Sequence, residues 1–176
     1  MYLLFHIALP LILMEIPRIK QLRINKLSLI IGSILPDVID KPLIFFGLGN
    51  GRNISHNLFF IILSFLILHF SIKRKTSISF PFLIGLIFHI ILDLPEVPLF
   101  YPFIPYEFPY IDNPILFWFN KLWTDPLVFI TEFIGLFFIV FIIINNKLYH
   151  TKDIRNYLEG IYQPSIQNSN EKEIDI

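Results

Sequence analysis

The stretch Gly85-Leu86-Ile87-Phe88-His89-Ile90-Ile91-Leu92-Asp93 sets a histidine and an aspartate four residues apart in one of the most apolar parts of the chain. On a helix such a pair lies on one face, one turn apart. The residues around it have the composition of a segment that faces lipid. Two ionisable groups in that setting demand a partner, so the fold and the chemistry have to be read together.

The rest of the chain shares this bias. Of 176 residues 55% are hydrophobic and 16% are charged, and the mean hydropathy is +0.65. These values exclude an ordinary soluble domain and indicate an integral membrane protein. The 14 Lys and Arg balance the 14 Asp and Glu, so no global field favours nucleic acid, and no nucleic-acid partner is expected. There is no cysteine, which excludes disulfides and thiolate metal sites.

Five apolar stretches stand out, at about 1–16, 27–48, 56–72, 78–94 and 126–145. The last has the uninterrupted length of about 20 residues that a hydrocarbon core requires. The second is interrupted by Pro36, Asp37 and Asp40, and the others are short and would need local thinning or burial in a bundle. The first has no basic residue ahead of it and no small-residue cleavage site, so a retained helix is expected. Lys and Arg in short loops remain cytoplasmic. Arg18, Lys20, Arg23 and Lys26 fill the first connection, and Lys73, Arg74 and Lys75 the third, against Lys41, Arg52 and Lys121 on the other side.

The expected architecture is an all-α transmembrane bundle of about five membrane helices, N-terminus out and C-terminus in. Residues 1–147 form the membrane domain, and 148–176 form a partly disordered cytoplasmic tail. Within the tail, Ile154, Tyr157, Leu158 and Ile161 recur at helical spacing and predict a short interfacial helix. Residues 95–125 form the longest outer connection, where repeated prolines forbid a continuous helix. Its aromatics, Phe100, Tyr101, Phe103, Tyr106, Phe108, Tyr110, Trp118 and Trp123, suit the membrane interface, as a belt or as a lid over a lipid-facing site.

This orientation sorts the polar residues by depth. His6, Asp37, Asp40, His56, His89 and Asp93 all fall in the outer half of the bundle, whereas His69 and His150 fall on the cytoplasmic side. An ionisable residue in a membrane helix costs about 2.5–3.5 kcal/mol on insertion scales, so such residues face a bundle interior or a cavity. A divalent metal is an economical partner for six of them, because it neutralises carboxylates and accepts imidazole nitrogen. The competing readings are structural: Asp37 as a helix cap after Pro36, His89 and Asp93 as a hydrogen-bonded pair, and His6 as a satisfied core histidine. Ser55 is placed to cap the third helix. Arg52 stands at the mouth of the cluster, where a guanidinium could clamp a phosphate or carboxylate or snorkel to water.

Read in order, His6, then GSILPDVID at 32–40, then RNISHN at 52–57, then FHIILD at 88–93, the chain resembles the membrane-bound metal-dependent hydrolase family, also called YdjM-like. The resemblance covers about residues 1–100. It departs from the family pattern at Asn53, where glycine is usual, at Asn57, where a hydroxyl residue is usual, and in the position of the second aspartate. It implies a polytopic membrane hydrolase of the cell membrane, and points to His6, Asp37, Asp40, Arg52, His56, His89 and Asp93. The expected ligand set is His6, Asp37, Asp40, His56, His89 and Asp93 around one or two ions, zinc first and manganese as the alternative.

In the catalytic scheme that follows, Asp40 serves as general base and Arg52 steadies charge on the substrate. The substrate is a phosphoester or another ester, with a lipid-like molecule and membrane lipids as partners. Two rival functions use the same cluster: an ion or proton transporter, for which it would be a binding station, and a non-catalytic scaffold, for which it would be structural.

Overall fold

The computed structural model describes residues 3–47, 50–107 and 111–161. Among these the chain is all-helical, with α1 Leu3–Met14, α2 Pro17–Lys20, α3 Lys26–Ile44, α4 Leu58–Ser71, α5 Thr76–Asp93, α6 Pro114–Thr124, α7 Pro126–Asn145 and α8 Thr151–Leu158. Met1 and Tyr2, Leu48 at the end of the second apolar stretch, Gly49, the aromatics Phe108 and Tyr110, and the tail from 162 onward lie outside the described residues.

Each of the five apolar stretches becomes a helix, but their lengths differ from expectation. Only α5 and α7 are long and apolar enough to cross a membrane by length and composition. α1 has 12 residues and α4 has 14, about 18–21 Å at 1.5 Å per residue against a core of about 30 Å. α3 is 19 residues long but carries Lys26, Asp37, Asp40 and Lys41. It also runs unbroken through Pro36 and Pro42, so Asp37 lies inside a helix and does not cap one. Asn57 is the cap of α4, accepting from the Phe60 N–H at 2.8 Å. Ser55 instead donates its hydroxyl to the Pro36 carbonyl at 2.8 Å.

The principal packing is α3 on α5, followed by α1 on α7. Glycine makes the first contact possible. A Cβ on Gly32 would run into the Phe82 carbonyl and lie 3.1 Å from the Leu86 nitrogen, and one on Gly85 would lie 2.7 Å from the Ser33 nitrogen. Small residues of this kind let membrane helices approach backbone to backbone. Gly135 does the same for α7, where a Cβ would meet the Phe5 nitrogen at 2.8 Å.

Consecutive long helices alternate in direction. The start of α1, the end of α3, the start of α4 and the end of α5 meet at one end of the bundle, as the His6, Asp40, His56 and Asp93 contacts require. The opposite end is closed by Glu15, which accepts from Tyr157 Oη at 2.8 Å and from Asn146 Nδ2 at 3.0 Å. Lys26 lies 4.4 Å over the Tyr157 ring. A helix forms in the predicted tail as α8, with Ile154, Tyr157 and Leu158 in it and Ile161 beyond its end, and its Tyr157 is buried against the bundle. Between the two ends the interior is apolar, with Ala8, Leu29 and Leu86 fully buried.

Outward, α7 presents Phe133, Phe137, Phe141 and Ile144, and α4 presents Ile62, Ile67 and Phe70. Helices apolar on their exposed faces as well as their buried ones suit lipid surroundings. Within the 95–125 connection, the last proline opens a helix where the sequence reading had none. Pro114 occupies the first turn of α6, and Asn113 caps it by accepting from the Leu116 N–H at 3.1 Å. Proline is preorganised for that position and its missing N–H costs nothing there.

Candidate metal centre

Four residues from three segments meet at the end of the bundle where α3 and α5 finish. His56 Nε2 lies 3.0 Å from His89 Nε2, 3.5 Å from Asp37 Oδ1 and 3.6 Å from Asp93 Oδ2. His89 Nε2 lies 3.9 Å from Asp37 Oδ1 and 3.8 Å from Asp93 Oδ2. With one donor atom from each, Asp37, His56, His89 and Asp93 lie within 4.8 Å of one another, and all four are buried. Tetrahedral zinc with bonds of about 2.0–2.1 Å to nitrogen and oxygen separates its donors by about 3.3–3.4 Å. The distances here bracket that value, so the group could hold a metal ion.

The hydrogen bonds on the far side of each ring decide which nitrogen points inward. His89 Nδ1 lies 2.7 Å from the Ser33 carbonyl, an acceptor only, so Nδ1 carries the proton and Nε2 presents a lone pair. The close crossing at Gly32 and Gly85 brings that carbonyl within reach. His56 Nδ1 lies 2.8 Å from Asp40 Oδ2, a carboxylate oxygen that also accepts from the Asn53 and Ser55 N–H groups at 2.7 and 3.1 Å. The His56 ring is oriented the same way. Two imidazole lone pairs facing at 3.0 Å repel each other unless a positive charge, a proton or a metal ion, lies between them.

The remaining expected residues flank this group. Asp40 is fully buried and stands behind His56, where it also gathers the 50–57 loop. His6 Nε2 lies 3.4 Å from the second oxygen of Asp93, and its ring is 4.4 Å from that of His89. Arg52 grips Asp93 with two nitrogens, Nε to Oδ2 at 3.1 Å and Nη2 to Oδ1 at 3.3 Å. Its Nη1 bonds Glu96. Burial disfavours the Arg52 charge, but Asp93 and Glu96 outweigh it and raise the pKa above its ordinary value. Lys41 bonds the outer oxygen of Asp37 at 2.6 Å. His69 lies away from the centre, 2.9 Å from Ser79 Oγ, and His150 stands at the start of α8.

Several contributors escape a sequence reading. The Ser33 carbonyl and the loop N–H groups are backbone atoms, invisible in residue type. Glu96 sits three residues beyond Asp93 in a proline-rich loop and signals nothing by spacing. Glu132 of α7 accepts from the Leu4 and Phe5 N–H groups at 3.1 and 3.2 Å. It thereby caps α1 from another helix and sets the height of His6. Its one available signal was an acid in an otherwise apolar span, which is costly without a partner.

The YdjM inner membrane protein family matches residues 1–151, and the chain belongs to that family. No curated protein and no solved structure matches it. The membership places the protein in a membrane, in keeping with its apolar helices.

Proposed function

We propose that this YdjM family member is a multi-pass membrane protein that hydrolyses an ester at a divalent metal ion held by Asp37, His56, His89 and Asp93. The observation that carries the reading is the pair of opposed Nε2 lone pairs, flanked by two carboxylates, with all four donor atoms within 4.8 Å of one another. Such an ion would supply a Lewis acid and a bound water acidic enough to serve as nucleophile near neutral pH. Zinc is preferred for a nitrogen and oxygen set of four donors, with manganese next.

In this reading the chain's own groups divide the work. Ser33 and Asp40 orient the two rings, the outer partners that ligating histidines ordinarily have. Asp40, with its oxygens taken by three N–H groups, acts as a positioning residue and not as general base. Arg52 uses Nε, Nη1 and Nη2 on Asp93 and Glu96, which leaves one N–H on each terminal nitrogen for charge on a substrate. His6 steadies Asp93 from its second oxygen. α1, α3, α4, α5 and α7 cross the membrane in alternating directions, the short α1 and α4 by local thinning of the bilayer, with the centre outward and the Lys- and Arg-rich connections inward. The His and Asp cluster at one end is separated from the Glu15 cluster at the other by an apolar interior around Ala8, Leu29 and Leu86, which favours a one-sided site over a transport path.

The test is metal content by mass spectrometry together with hydrolysis of chromogenic phosphate and carboxylate esters by the purified protein and its His89→Ala variant. Bound zinc or manganese near one ion per chain, and ester cleavage, are expected for the parent and lost in the variant. A metal-free parent that withstands zinc reconstitution would overturn the reading.

A further inference from the structure

A cleft of about 550 Å³ lies between α6 and the 50–57 loop, bordered by Arg52 and Lys41 on the side of the metal centre. Its size is that of a small-molecule site, about 300–1,000 Å³. Three cations from three segments line it, Lys41, Arg52 and Lys121, against two acids, Glu96 and Asp112. Two of the cations converge on a single carboxylate: Glu96 accepts from Arg52 Nη1 and lies 3.6 Å from Lys121 Nζ. The Glu96 side chain is 58% exposed. An exposed ion pair is weak because water screens it. A phosphate carries up to about two charges and three acceptor oxygens, and a guanidinium fork matches its geometry. The cation pair is thus a preformed anion site in which Glu96 is a displaceable occupant.

Phe117 and Trp118 of α6 line the same cleft, Phe117 one helical turn from Lys121. Beyond it, α6 turns Phe119 and Trp123 outward, each 60% exposed, as an interfacial helix does. A soluble anion has no use for these rings, whereas a molecule with a charged head and an apolar tail uses both the cations and the rings. We propose that the cleft binds the phosphate headgroup of an amphiphile, with Arg52 and Lys121 taking the phosphate from Glu96 and with Phe117 and Trp118 holding the first atoms of the tail. The inference deepens the hydrolase reading and rests on it for the chemistry, since it makes the ester a phosphate ester presented from the lipid phase.

Both tryptophans of the chain lie on α6, and only Trp118 lines the cleft, so tryptophan fluorescence is read in a Trp123→Phe background. The full chain in a maltoside detergent is titrated with phosphatidic acid, with diacylglycerol and with inorganic phosphate. A saturable change is expected with phosphatidic acid only. Lys121→Gln, at a position 28% exposed, weakens it about tenfold, as loss of one charge-assisted hydrogen bond would, and Lys121→Arg restores it. An equal response to diacylglycerol, or none lost in Lys121→Gln, overturns the proposal, and an equal response to inorganic phosphate overturns the amphiphile. Metal content measured on the same samples separates the two claims. Metal without lipid binding sinks the cleft alone, and lipid binding without metal sinks the hydrolase reading alone.

Discussion

His56 and His89 face one another through Nε2 at 3.0 Å, each with Nδ1 turned to an acceptor on the far side. The arrangement is held from α3, which provides both acceptors, Asp40 and the Ser33 carbonyl. The two rings are therefore aimed before any ion arrives, and the donors do not have to be gathered at binding.

Graded loss of metal follows from that division. Alanine at His56 or His89 removes a donor and should abolish stoichiometric binding. Asp40→Asn keeps the shape but weakens the hold on the His56 ring, and should lower metal affinity about 10- to 100-fold. Competition with a fluorescent chelator measures both, and equal losses in Asp40→Asn and His56→Ala would move Asp40 among the ligands.

Glu132 should matter to a helix it does not belong to. It caps the α1 N–H groups beside His6, so Glu132→Ala is expected to destabilise the protein by about 1–2 kcal/mol, the range for loss of a helix cap. The thermal midpoint in detergent checks this. An unchanged midpoint together with unchanged metal affinity would remove the role.

The α3–α5 crossing allows no side chain at its two glycines. Gly85→Ala would set a methyl 2.7 Å from the Ser33 nitrogen and 3.0 Å from the Gly32 carbonyl carbon, forcing the helices apart at a cost of about 1–3 kcal/mol. Because the same movement lengthens the His89 bond to Ser33, metal affinity should fall along with stability. Stability lost with affinity intact would show that the crossing does not aim His89.

At the other end, docking of α8 should depend on pH in two directions. Burial raises the Glu15 pKa, but hydrogen bonds from Lys20, Tyr157 and Asn146 outweigh it and hold the pKa below the ordinary 4.5. Its contribution is complete above that value and is lost as pH falls through the lower folded value. Burial and Glu15 raise the Tyr157 pKa above its ordinary 10.0, so that contribution is complete below 10.0 and declines as pH rises further. Limited proteolysis near Lys152 should be slowest at neutral pH and faster at both extremes, with Glu15→Gln abolishing the acid-side change.

Orientation can be read chemically because the chain has no cysteine. Single cysteines at Glu107 and Lys73 should respectively react with, and be shielded from, a membrane-impermeant maleimide in intact cells. The opposite pattern would invert the bundle.

What residue types decide, this sequence declares. Apolar runs must leave water, so all five become helices, and the i, i+4 spacing of His89 and Asp93 survives into the buried four-residue cluster because helix geometry is local. Local chemistry does not divide Asp37 from Asp40. Both lie in the second half of α3, three residues apart, and only the 50–57 loop, by spending its N–H groups and the His56 Nδ1 proton on Asp40, leaves Asp37 facing the centre. Nor does sequence order show that Glu132 caps α1 from 128 residues away, or that Gly32 and Gly85 are needed because they touch each other's helix. Such assignments depend on which groups meet across the bundle, and hydrogen bonds and steric contact, acting only over a few ångströms, are decided by the tertiary structure.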